Sequence, residues 1–199
     1  MLSVTKKRPD FTGYVVHALN RRVDRQTLFT SEKDYSEFRS LLGFAIDKFD
    51  LRILEWVLMP NHFHLLAWPE HKTQLSKFMG WLCSTHAKNW REATDTVGEG
   101  ALYQDRYKAF IVSPGPHLHK LRNYLSMNPV KAKLVQEPWQ WRWGSSRRAK
   151  YKSYDSDITL HEGPEPQHPN LSDLLFRKMK MSRKDRQKLK MSLARGAPF

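Results

Sequence analysis

The sequence predicts an α+β domain in which helices pack on a four-stranded antiparallel sheet. Three observations carry that reading. Short β-prone runs alternate with long stretches of helical period, and a Pro-Asn turn joins two of the runs closely enough for a hairpin. The 199 residues, 40% hydrophobic and 12% aromatic, suffice for one core of ordinary size but not for two.

The elements follow in order. Thr12 to Leu19 carries Tyr14, Val15, Val16 and Leu19 and reads as a first strand, with Asn20-Arg21-Arg22 as a polar loop behind it. Ser31 is placed as an N-cap before Glu32 and Asp34. Tyr35, Phe38, Leu41, Leu42, Ala45, Ile46 and Phe49 then mark a helix over 31–49. Leu51 to Leu58 is a second strand, Met59-Pro60-Asn61 a turn, and His62 to Trp68 a third strand ended by Pro69. Leu75, Phe78, Met79, Leu82, Cys83, His86, Ala87 and Trp90 give a helix over 73–93. Lys108 to Val112 is the fourth strand. Ser113-Pro114 is expected to open a third helix, with the hydroxyl as cap and proline at its first position, and Pro129 to stop it. Strand, helix, strand, strand, helix, strand is the order of a ferredoxin-like sheet.

These elements assign residues 1–150 to one folded domain. Trp139, Trp141 and Trp143 alternate with polar residues near its end, more as packing than as base-stacking platforms. Residues 151–170, rich in Ser, Asp, Gly, Pro and His, read as a linker, and 171–199 as a basic helical tail.

Charge narrows the partner. With 34 Lys+Arg against 20 Asp+Glu the net charge is +14, which attracts polyanions and puts nucleic acid first. No apolar run approaches the ~18–20 residues of a membrane span. The N-terminus lacks the apolar stretch of a secretion signal. Cys83 is the only cysteine, so the chain can form no internal disulfide. A cytoplasmic protein is expected.

Two constellations carry chemistry. His62 and His64 alternate on a strand, so both imidazoles leave the same face and can converge on one metal ion. Alone the pair is equally compatible with hydrogen-bonded surface histidines, and two imidazoles leave a metal short of ligands. Tyr124 shares a helix face with Lys120 and Asn128. A phenol with pKa near ~10 is protonated at neutral pH and needs a cation or base to become a nucleophile. Lys120 can lower that pKa or hold a phosphate, and the Asn128 carbonyl oxygen suits a hard ion such as Mg²⁺ or Mn²⁺. His117 is a fallback base. Arg21, Arg22, Arg147, Arg148 and Lys150 are candidate phosphate contacts.

Met59-Pro60-Asn61-His62-Phe63-His64-Leu65-Leu66, followed by Tyr124-Leu-Ser-Met-Asn128-Pro129-Val130-Lys131-Ala132, resembles the HUH single-tyrosine transposases, in particular the REP-associated tyrosine transposases of bacteria. The likeness runs from about Gly13 to Ser146 and takes in Asn20-Arg21-Arg22. It implies an HUH endonuclease fold, a divalent metal on His62, His64 and Asn128, and Tyr124 as nucleophile. It further implies single-stranded or hairpin-forming repetitive DNA as substrate, a 5′-phosphotyrosine intermediate, and association with the bacterial nucleoid. One tyrosine per chain leaves monomer and homodimer both open. No ATP-binding loop is present, and strand transfer through a covalent phosphoester requires none. Two other activities use the same residues: a DNA-binding protein that no longer cuts, and a metal-dependent hydrolase that leaves free 5′-phosphate ends. The basic tail lies outside the resemblance.

Overall fold

The computed structural model describes residues 9–151 and 158–164. Within them lie β1 (Val15–Arg21), α1 (Glu32–Phe49), β2 (Arg52–Met59), β3 (His62–Trp68), α2 (Gln74–Ala93), β4 (Lys108–Val112) and α3 (Pro116–Lys131). The sheet runs β2-β3-β1-β4 with every neighbouring pair antiparallel, the ferredoxin-like order expected from the sequence. The basic segment 171–199 lies outside the described residues. Among those described, no helix is long and apolar enough to cross a membrane.

Strand alternation divides the core in two. Val16, Ala18, Phe63, Leu65 and Ala67 face α1 and α2 and join Phe38, Leu42, Phe78, Met79 and Leu82 in the larger cluster. Val15, Leu66, Val57, Met59 and Val112 point the other way, where Leu118 and Leu125 of α3 cover them. That second face is only partly roofed, and its open part carries the polar residues considered below.

Local chemistry explains most boundaries. At Ser31 a capping box forms, the Ser31 hydroxyl accepting from the Asp34 amide while the Asp34 carboxylate accepts from the Ser31 amide. Two boundaries differ from expectation. β1 runs on through Asn20 and Arg21 because Arg21 pairs with His62 and the Arg22 amide donates to the Asn61 carbonyl. Cross-strand pairing thus overrides the polar character of those residues.

α3 starts later and ends later than expected. Gly115, at φ 79, turns the chain, and Pro116 rather than Pro114 occupies the first turn, with no side-chain cap. Pro129 does not stop the helix. Its ring opposes only the Leu125 carbonyl, a single bond near the end, and the helix continues to Lys131.

The chain then returns to β2. Trp143 stacks on Tyr35 with centroids 5.0 Å apart, and the Trp141 indole donates to the Leu58 carbonyl at 2.8 Å, so these two tryptophans are packing residues. Gly144 bridges to Val57, where an added Cβ would lie 3.3 Å from the Val57 side chain. Residues 158–164, within the expected linker, rejoin the same edge: Ile158 is fully buried and Leu160 bridges to Ile53.

Candidate active site

The open part of the second face gathers His17 from β1, His62 and His64 from β3, and Tyr124 and Asn128 from α3. The rings of His62 and His64 stand at 89° with centroids 4.7 Å apart. Tyr124 meets His64 edge-on, 6.5 Å between centroids. The two sequence motifs, 60 residues apart, therefore meet on one side of the sheet. Leu118 and Leu125 set this geometry by seating α3 in the apolar cluster, which leaves Tyr124 half-buried over the histidines.

Hydrogen bonds orient the imidazoles. The Asn61 amide nitrogen donates to the Arg25 carbonyl at 3.1 Å, which makes Asn61 Oδ1 the acceptor for His62 Nδ1 at 2.5 Å. His62 therefore carries its proton on Nδ1 and keeps the Nε2 lone pair. His64 Nδ1 lies 2.9 Å from His17 Nε2, and His64 Nε2 is buried without a partner. Burial pulls His17 and His62 down to about 4, aided for His17 by His62 and for His62 by Arg21. Burial, with His17 and His62 beside it, holds His64 well below the ordinary imidazole range. All three rings are neutral at pH 7, the form in which imidazole donates a lone pair to a metal.

The residues present fit a divalent cation. A buried imidazole nitrogen without a partner and a second with a free lone pair supply two donors. Asn128, 9% exposed and one turn after Tyr124 on α3, uses its amide nitrogen on the Tyr124 backbone carbonyl at 3.0 Å, a bond that does not engage its carbonyl oxygen. Among the described residues no group of three or more His, Cys, Asp or Glu is placed to hold a metal.

Burial raises the Tyr124 phenol above its ordinary value, while the Asn128 side chain pulls it the other way. The phenol is thus protonated at neutral pH.

The remaining predicted residues are dispersed. Arg21 lies opposite His62 on the site face, its Nε donating to Gln104 at 2.5 Å. Arg22 points elsewhere: it stacks 4.2 Å over Trp90 and donates to the Thr27 carbonyl. Lys120 and His117 are exposed on α3. Arg147 lies over Tyr151 at 4.8 Å and Lys150 over Trp139 at 4.4 Å. The Arg148 side chain lies outside the described residues.

Sequence reasoning missed three residues. The Lys131 ammonium sits 4.6 Å over the Tyr124 ring, and its signal was the i+7 spacing on one helix face. Asn61 immediately precedes the first histidine. His17 shares a strand face with Val15 and Arg21, but its meeting with His64 depends on the β1–β3 register.

The fold is shared with a solved structure of a REP-associated tyrosine transposase bound to a REP hairpin, at TM-score 0.57 and 20% identity, covering 79% of this chain and 92% of that one. A putative transposase from Deinococcus radiodurans is a looser match, at TM-score 0.42 and 17% identity, over 68% of this chain and 94% of its own. No curated protein matches the sequence. Residues 10–128 match the family described as "Transposase IS200 like", and the chain belongs to that family.

Proposed function

We propose that this protein cuts and rejoins single-stranded DNA at hairpin-forming repeats through a covalent bond between Tyr124 and a 5′ phosphate. One observation carries the reading: a tyrosine and a metal-competent histidine pair lie on the same sheet face, 6.5 Å apart between the His64 and Tyr124 rings. A REP hairpin bound to a protein of the same fold and the net charge of +14 favour such a substrate.

His62, His64 and Asn128 would hold an Mg²⁺ or Mn²⁺ ion, which would supply Lewis-acid charge to the scissile phosphate. The Tyr124 oxygen attacks phosphorus as its proton passes to water. The bond from phosphorus to the 3′ oxygen breaks, and that oxygen takes up a proton as a 3′-hydroxyl. The 5′ phosphate stays on Tyr124 until another 3′-hydroxyl attacks it and the phenol leaves. Lys131 over the ring and Lys120 one turn before Tyr124 counter the phosphodiester charge. Arg21 holds a neighbouring phosphate, and Arg147, Arg148 and Lys150 track the backbone further out.

The test is a 5′-labelled and a 3′-labelled hairpin with single-stranded flanks, incubated with protein and Mg²⁺ or Mn²⁺. The reading predicts a denaturant-resistant protein–DNA adduct carrying only the strand 3′ of the cut, absent with EDTA. Binding without an adduct indicates a DNA-binding protein that does not cut. Free 5′-phosphate ends without an adduct indicate a hydrolase.

A further inference from the structure

His17 is buried, 6% exposed, and nothing in the cleavage chemistry uses it directly. Its ring is held on both sides, stacked on His64 at 5.0 Å and 30° and tilted against Phe110 at 6.3 Å. The position follows from the register. His17 lies opposite Leu66, which places it diagonally across from His64 on the same face, within reach of a ring-to-ring bond.

The bond has two possible protonation patterns. In one, His17 Nε2 carries the hydrogen and donates to His64 Nδ1. His64 then carries its own hydrogen on Nε2, where it is a buried donor without an acceptor and cannot ligate a cation. In the other, His64 Nδ1 donates to His17 Nε2, and His64 Nε2 has a free lone pair. Only the second leaves no buried orphan N–H, and only the second matches His62, whose Nδ1 is bonded to Asn61.

From this bond we infer that His17 is a positioning residue: it accepts a hydrogen bond from His64 Nδ1, fixes the His64 tautomer and ring angle, and so presents Nε2 to a divalent cation. His17 and Asn61 then have parallel roles, one behind each ligand, and the pair is organised before a metal arrives. The inference rests on the metal-binding part of the proposed function and is independent of whether DNA is cut.

Nitrogen-15 spectra of the imidazoles in the full-length, metal-free protein test it. The wild type should show His64 protonated on Nδ1. His17→Leu removes the acceptor and should move the proton to Nε2, whereas His17→Gln, which retains an acceptor, should keep it on Nδ1. Mn²⁺ affinity, titrated by electron paramagnetic resonance, should fall about 10–100-fold in His17→Leu and be largely restored in His17→Gln. A wild-type His64 protonated on Nε2 overturns the inference, as does a folded His17→Leu that binds Mn²⁺ like the wild type. If His17→Leu does not fold, the wild-type and His17→Gln spectra still decide. Correct tautomers without any DNA adduct would overturn the cleavage reading alone.

Discussion

Tyr124 and His64 face each other edge-on, with ring centroids 6.5 Å apart and planes at 82°. The contact joins α3 to the central strand β3, and it exists because α3 packs on the sheet face opposite α1 and α2. A helix on the other layer would have placed the phenol a full sheet thickness from the histidines.

The metal site gives the first prediction. His62→Ala removes one of two imidazole donors and should abolish adduct formation at millimolar Mg²⁺ while the protein stays folded. Circular dichroism checks the fold and gel analysis of labelled hairpin the adduct. His64→Ala should cost stability as well, about 1–3 kcal/mol, because it leaves His17 Nε2 buried without its partner.

Adjacent arginines should behave oppositely. Arg21→Ala should weaken single-stranded DNA binding and reduce the slope of log affinity against log salt by about 0.7, the contribution of one phosphate contact, with little change in stability. Arg22→Ala should cost about 1–3 kcal/mol through its stack on Trp90 and its bond to Thr27, and leave the salt slope unchanged. Denaturant melts and binding isotherms on both variants separate the two effects.

Ser145 locks the return segment to the sheet. Its hydroxyl reaches the Trp56 amide at 3.1 Å, the Trp56 carbonyl at 3.0 Å and the Glu55 carboxylate. Ser145→Ala leaves the buried Trp56 N–H without an acceptor and should destabilise the fold by about 1–3 kcal/mol, measurable by urea unfolding.

Acid should unfold the protein through its buried histidines. Burial lowers His17, His62 and His86 to about 4 from an ordinary 6.5. Below 6.5 the unfolded chain binds protons that the folded chain refuses, so the stability from these groups is complete above about 6.5. It is lost progressively as the pH falls towards about 4. For His86 alone the loss is on the order of 3 kcal/mol. Thermal midpoints should be flat between pH 7 and 8 and fall steeply from pH 6.5 to 4.5.

That the two motifs meet was not legible in the sequence, since the histidines and Tyr124 sit on separate elements. The sheet order and both long helices were, because each has a local signature: alternation in the strands, apolar period and a cap in α1. The ends of α3 were not. A proline one turn from a helix terminus disturbs one carbonyl, and the pattern alone does not show which turn is last. The side chains behind the site were hidden for another reason. Asn61, His17 and Lys131 act through register and packing, which no spacing within one element encodes. Arg21 and Arg22 look alike in sequence, and the strand pleat sends one to the site and the other to Trp90.

The central claim is that Tyr124 becomes covalently bound to a 5′ phosphate. Protease digestion of the Mg²⁺-dependent adduct, followed by mass spectrometry, measures this directly. The account predicts a nucleotide on the peptide containing Tyr124, and no adduct from Tyr124→Phe although that variant still binds the hairpin. An adduct on any other residue, or one that survives Tyr124→Phe, would contradict it.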